Sequence, residues 1–193
     1  VLCEGGSTAV TYTITDLCEG GEDTATFSVT APAALVVSDV QSITVDACDY
    51  ADQDALDAAF TSWISGFSVS GGCDPQATDL SSMTAPVLCE GGSTAVTYTI
   101  TDLCGNGEDT ATFSVTAPAA PVLSATPDDI IVTCIAEVPG NQGVVATDNC
   151  DNAPVVVFTQ SEAPTCNGDL INTWTATDAC GVGLIATTDG KKS

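Results

Sequence analysis

The sequence has almost no positive charge. Its 193 residues include 26 Asp and Glu, no His, and only two basic residues, Lys191 and Lys192 at the C-terminus. Residues 1–190 therefore carry no cationic side chain. Without His there is no base for a Ser-His-Asp or Cys-His pair and no imidazole ligand for zinc. No Lys or Arg cluster holds phosphate, and a net charge of −24 repels nucleic acid and anionic lipid. The carboxylates must be solvated, hydrogen-bonded or bound to metal. Aromatic residues are scarce as well, at 5%, so the cores should be small. No apolar run approaches the ~20 residues of a membrane-spanning helix, and no charged-then-apolar signal segment opens the chain. Closely spaced cysteines are also missing. The nearest pair, Cys166 and Cys180, is 14 residues apart, so there is no C-x-x-C.

What is present has the composition of strands. The chain is 44% hydrophobic, far above an acidic disordered tail. Val, Ala and Ile are interleaved with Thr and Ser. Ten cysteines without a metal-binding spacing read as disulfides, which belong to an oxidising compartment. The expected location is extracellular or at the cell surface. The missing signal segment then makes the chain part of something longer.

The sequence repeats itself. Residues 1–34 and 87–120 differ only at Glu19/Gly105 and Gly20/Asn106, an offset of 86 residues that also relates Cys48 to Cys134. A diverged third copy aligns TWTATDACGVG at 173–183 with TYTITDLCGNG at 97–107. The expected domains are the C-terminal half of a repeat (1–33), a complete repeat (34–119) and a diverged repeat (120–193).

Each repeat ends in two alternating strands. Val96, Tyr98 and Ile100 face one way and the intervening threonines the other, and Ala111, Phe113 and Val115 alternate likewise. Gln41–Asp46, Asp129–Thr133, Gly143–Thr147 and Val155–Thr159 add further strands. Six or seven short strands in about 80 residues predict an all-β fold of tandem immunoglobulin-like sandwiches. One helix interrupts them at about 52–64, where Leu56, Phe60, Trp63 and Ile64 fall at helical spacing, acidic residues crowd the first turn and Gly66 ends it. The third repeat replaces this helix with a Pro-Gly-Asn loop.

TAVTYTITD before CGNG, DTATFSVT, ATDNCD at 146–151 and TWTATDACG at 173–181 resemble the hyalin-repeat (HYR-like) group of immunoglobulin-like modules. The four-cysteine form with a DALDAAFTSWISGFSVSGGCDP-type helix is similar to tandem repeats in giant surface proteins of gliding, type IX-secreting Bacteroidota. The resemblance implies an adhesive or spacer role rather than catalysis. The last strand, GVGLIATTDGKKS in place of GNGEDTATFSVTAP, departs from the pattern.

In an immunoglobulin-like sandwich the first strand runs parallel to the last. On that topology Cys48 and Cys134 share a pole with Cys89 and Cys166, while Cys73 and Cys150 share the opposite one with Cys104 and Cys180. The expected pairs are Cys48–Cys89, Cys73–Cys104, Cys134–Cys166 and Cys150–Cys180, each worth about 3–4 kcal/mol by the chain-entropy estimate. Sequential pairing, Cys3–Cys18 and Cys89–Cys104, is the rival.

No cofactor is required. Calcium is the one metal the composition suits, because its ligands are oxygens. Asp148, Asp151, Asn152 and Asp178 are the candidate ligands, with Asp102 and Asn106 as counterparts in the middle repeat. The competing reading is that these residues make hydrogen-bonded turns. Asp-Thr-Ala at 23–25 and 109–111 resembles the O-glycosylation acceptor of Bacteroidota, with Thr24 and Thr110 as solvent-facing acceptors. A paired-acid glycosidase would need a cleft-forming domain that is not evident.

The function expected is a non-enzymatic stalk or adhesin segment. Its partners are neighbouring repeats of the chain, or other chains in a filament, and the surface or glycan ligand is unspecified. The alternative is a carbohydrate-binding module appended to a secreted enzyme. Surface aromatics would mark it, but Trp63 and Trp174 both read as core.

Overall fold

The computed structural model describes residues 3–151, 153–164 and 168–192. Among these residues it is all-β apart from one α-helix and two single turns of 3-10 helix, at Ala47–Asp49 and Ile135–Glu137. In chain order the strands are β1 (Gly6–Thr15), β2 (Gly20–Val29), β3 (Val36–Val37), β4 (Ile43–Asp46), β5 (Val69–Ser70), β6 (Gln76–Ala77) and β7 (Gly92–Thr101). They continue as β8 (Asn106–Thr116), β9 (Val122–Leu123), β10 (Ile130–Val132), β11 (Ala146–Thr147), β12 (Val155–Gln160), β13 (Gly168–Thr177) and β14 (Gly183–Lys192). Two four-stranded sheets have the orders β4-β8-β7-β6 and β10-β14-β13-β12, and β1-β2, β3-β5 and β9-β11 pair separately.

The helix, α1, runs Gln53–Ile64, close to its expected span. Asp52 starts it by accepting the Ala55 N–H at 2.9 Å, which satisfies one of the free amides of the first turn. It stops where Gly66 N–H bonds back to the Trp63 carbonyl.

The chain forms two compact units. The first comprises Val1–Ile43, Asp57–Ala85 and Ser93–Ser114. Its core follows the alternation of β7 and β8, with Val96, Ile100 and Phe113 0% exposed and Tyr98 7%. The scarce aromatics collect here. Phe60 and Trp63 place their rings 5.3 and 5.4 Å from Phe113, and Phe67 lies 5.6 Å from Tyr98. Leu35, Val37, Val69 and Met83 pack around them. Concentrating the few large rings in one cluster gives this small core its burial.

The same unit holds the β1–β2 hairpin, in full antiparallel register from Gly6↔Val29 to Thr15↔Gly20. Its sequence is that of β7–β8 except at Glu19/Gly105 and Gly20/Asn106, but no residue of it is buried. Val10 is 63% exposed, Tyr12 68% and Phe27 72%. Gly5 and Gly91, one period apart, both have a left-handed φ, +68° and +65°. At either site a Cβ would lie 2.8 Å or closer to backbone atoms of the returning strand. Only glycine allows that entry to the hairpin.

The second unit comprises Thr44–Leu56, Pro86–Gly92 and Val115–Ser193. In β13, Leu170, Asn172, Trp174 and Ala176 alternate inward and are buried. Trp174 stacks on Phe158 at 5.2 Å and donates its indole N–H to Asn141 Oδ1. Asn141 belongs to the Pro-Gly-Asn loop that stands where the middle repeat has its helix. The atypical last strand pairs along its whole length: β14 is antiparallel to β13 and parallel to β10.

Candidate functional site: the cysteine turns

The polar chemistry gathers at turns of one design. Five cysteines follow an aspartate by two residues: Asp16-x-Cys18, Asp46-x-Cys48, Asp102-x-Cys104, Asp148-x-Cys150 and Asp178-x-Cys180. In each, the aspartate Oδ1 accepts the cysteine N–H, at 2.7, 3.0, 2.7, 2.8 and 2.9 Å respectively. A carboxylate that folds back on the second following amide makes an Asx turn and fixes the direction of that cysteine's side chain. The turn reading offered for Asp102, Asp148 and Asp178 is the one these bonds form, and the recurring Asp-x-Cys spacing is the signal that would have extended it to Asp16 and Asp46.

Asp102 does the most of these. Its Oδ2 also takes the Cys73 N–H at 2.9 Å, so one carboxylate ties a mid-repeat loop to the hairpin turn. The Cys73 bond, then the Cys104 bond, hold its carboxyl below the usual range. Asp16, one period earlier, is lowered by Glu19 N–H and then Cys18 N–H.

Among the described residues three disulfides form at these turns: Cys3–Cys104, Cys48–Cys150 and Cys89–Cys180, with Cα separations of 5.3, 4.7 and 5.4 Å. Cys18, Cys73 and Cys134 are free. These bonds correct the expected pairing within repeats. Cys48 bonds Cys150 rather than Cys89, Cys104 bonds Cys3 rather than Cys73, and Cys180 bonds Cys89 rather than Cys150. Cys134 is unbonded, and its expected partner Cys166 lies outside the described residues. The sequential rival fails too, since Cys3 bonds Cys104 rather than Cys18, and Cys89 bonds Cys180 rather than Cys104.

The physical reason is local. Cys73 and Cys104 do share a turn region, as expected; Leu103 N–H bonds the Cys73 carbonyl. A disulfide, however, needs Cα atoms about 4.4–6.8 Å apart with facing side chains. The residue that meets the hairpin-turn cysteine in that way comes from a different copy of the repeat.

A cavity of about 300 Å³ is lined by Cys48, Cys150 and Cys180 together with Asp49, Asp151 and Asp178. Of the expected calcium ligands, Asp151 and Asp178 thus share a cavity. Asp148 lines a separate hollow with Thr147 and Asn149, and Asn152 lies outside the described residues. Asp148 Oδ2 and Asp178 Oδ2 are buried and accept no hydrogen bond from the described residues. Among the described residues, the ligand-type atoms within 4.8 Å of one another are those of Asp46, Cys48 and Cys150. Two of these sulfurs belong to one disulfide and are not metal-binding thiolates. Asp102 spends its oxygens on backbone amides, and Asn106 is an exposed residue at the start of β8.

Thr24 and Thr110 are both exposed. Each hydroxyl faces a cross-strand threonine hydroxyl, Thr11 at 3.2 Å and Thr97 at 3.4 Å.

Residues 122–183 match the model of the HYR-like domain with 4 cysteines. No curated protein matches the chain. Among solved structures it is similar to the protocadherin GammaB4 extracellular domain, at 10% identity and a TM-score of 0.37, over 98% of this chain and 37% of that one. Protocadherin Gamma B7 extracellular cadherin domains 1–4 follow at 10% identity and 0.35, over 97% of this chain and 57% of that one. The chain thus spans 37% to 57% of the length of these structures. Likeness at these scores assigns neither fold nor function. No helix among the described residues is long and apolar enough to cross a membrane.

Proposed function

We propose that the chain is a non-enzymatic structural or adhesive segment of a long secreted cell-surface protein or filament, built from immunoglobulin-like HYR-type repeats at 1–33, 34–119 and 120–193. One observation carries this reading. Each of the three disulfides joins a cysteine of one sequence copy to a cysteine of the next. Covalent staples between successive repeats serve a segment that transmits load or holds a binding tip at a distance. They also supply cohesion that ion pairs cannot give to a chain with no basic residue before 191. Disulfides of this kind persist outside the cell, and the HYR-like match over 122–183 supports the same setting.

A carbohydrate-binding role is the alternative, favoured by the exposed rings of Tyr12 and Phe27. A glycan array probed with the oxidised chain separates the two. The structural reading expects no saturable binding. A glycan bound in a way that Tyr12→Ala and Phe27→Ala both abolish would replace it with the recognition reading.

A further inference from the structure

The loop between β5 and β6 carries a reactive bond. Asp74–Pro75 is the one Asp-Pro sequence in the chain. Asp74 is also the one non-glycine residue with a positive φ among the described residues, at +58°. Aspartate visits that left-handed region more readily than most side chains. A following proline, however, pushes the residue before it towards extended backbone. Asp74 thus holds a conformation that its own Cβ and the Pro75 ring both disfavour.

The flanking residues lock that strain in. On one side, Cys73 N–H donates to Asp102 Oδ2 at 2.9 Å, and the Cys73 carbonyl accepts the Leu103 N–H at 3.3 Å. On the other, Gln76 in β6 pairs with Thr101 of β7. Both anchors belong to the β7–β8 hairpin, so the two residues between them are held from both ends.

The groups around the bond suit its cleavage. Gln76 Nε2 donates to Asp74 Oδ1 at 3.3 Å and to the Asp74 carbonyl oxygen at 3.5 Å. One amide therefore gathers the carboxylate and the carbonyl that it can attack, and it stands where negative charge develops on that carbonyl oxygen. It also reaches the Pro75 carbonyl at 3.3 Å. Pro75 has no N–H, so its nitrogen cannot close a ring on the Asp74 side chain, the reaction that competes at other Asp-X bonds. Asp74 is exposed, so water has access.

We infer that the folded chain cuts itself at Asp74–Pro75. An Asp74 carboxylate oxygen attacks the Asp74 carbonyl carbon and forms a five-membered cyclic anhydride. The bond from that carbon to the Pro75 nitrogen breaks, and the nitrogen takes a proton from water and leaves as a secondary amine. The hydroxide from that water opens the anhydride, so Asp74 becomes a C-terminal residue with two carboxyl groups. One water is added across one peptide bond, and nothing is oxidised or reduced.

The cut does not release a fragment from the oxidised chain. Cys3 and Cys48 precede it, and their partners Cys104 and Cys150 follow it. The product is a two-piece segment that comes apart only on reduction. The inference concerns the chain's own covalent structure and goes beyond the structural or adhesive reading above.

The test incubates the oxidised full-length chain in neutral buffer and, in parallel, in guanidinium chloride. Electrophoresis with and without reductant, intact mass and N-terminal sequencing follow the cut with time. The expected result is one band without reductant, heavier than the chain by one water. With reductant it should separate into residues 1–74 and 75–193, the second starting at Pro75. The folded chain should cut at least about tenfold faster than the unfolded one, the order of rate that left-handed strain represents. Dilution should leave the rate unchanged. Asp74→Gly keeps the positive φ but removes the nucleophile, so it should stay whole. Gln76→Ala should slow towards the unfolded rate in buffer and match the parent chain in guanidinium chloride.

Four outcomes overturn the inference: equal rates in buffer and in guanidinium chloride, a rate that falls on dilution, a new N-terminus other than Pro75, or Asp74→Gly cut as fast as the parent. A Gln76→Ala chain that cuts at the parent's rate in buffer overturns it as well.

Discussion

The hairpins β1–β2 and β7–β8 have almost the same sequence and opposite surroundings. Tyr98 and Phe113 are buried under α1 and the loops that follow it, while their counterparts Tyr12 and Phe27 face solvent. The backbone is alike in both. The same glycine opens the hairpin at a left-handed φ, and the same aspartate closes its turn. Turn chemistry and strand alternation are therefore enough to specify the hairpin. Burial is not a property of the hairpin at all; residues 35–83 confer it.

Paired substitutions sharpen this contrast. The largest effect should come from Phe113→Ala, which empties the aromatic cluster and should cost about 3–5 kcal/mol in urea unfolding. Phe27→Ala, the same change one period earlier, should stay within about 0.5 kcal/mol. Equal costs would mean that the first hairpin is covered in solution.

Removing a staple should come next. The double change Cys89→Ser with Cys180→Ser should cost about 2–4 kcal/mol. The Cys3–Cys104 bond tethers a hairpin with no buried residue, so the main effect of Cys3→Ser with Cys104→Ser should be faster amide exchange in β1–β2. A larger shift in urea midpoint for the second pair would break the comparison.

Gly91→Ala forces a Cβ against the Val115 carbonyl and Ala117 amide at 2.8 Å, in a left-handed conformation. That should cost at least about 1–2 kcal/mol. Gly5→Ala meets the same strain, but its loss should appear only as fraying of the first hairpin, read by amide exchange.

The smallest contrast is in acid. Asp16 and Asp102 both have lowered carboxyl pKa values in the folded chain. What they contribute is present above the ordinary carboxylate range and lost as the pH falls through the lowered folded value. Carboxyl NMR titration should place both midpoints below that of a model aspartate. Below its midpoint, Asp102 should release the Cys73 amide as well as that of Cys104, and Asp16 only its own turn. A Cys73 amide that keeps its protection there would remove Asp102 from the tie.

Much of this was legible in the residues. The two-residue alternation of Thr94–Thr101 and Thr110–Thr116 and the helix near 52–64 follow from local patterning, which acts over a few residues. Cysteine pairing is different. It depends on which side chains converge from distant positions, and treating each repeat as self-sufficient put the partners in the wrong copy. The Asp-x-Cys spacing marks where such turns form but not whom they meet. Which of two nearly identical hairpins is covered is likewise invisible, because its cover is encoded in residues 35–83.

The overlap of the three disulfides has a mechanical consequence. A pull applied at Cys3 and Cys180 does not travel along the whole chain. It crosses to Cys104, runs back only as far as Cys89, and crosses again to Cys180. Every residue outside that short path is shielded, and each withholds the roughly 3.5 Å that an unfolded residue would add under tension. The oxidised segment should therefore act as a nearly inextensible link, lengthening by many tens of nanometres less than its residue count allows. A reductant would turn it into an elastic one.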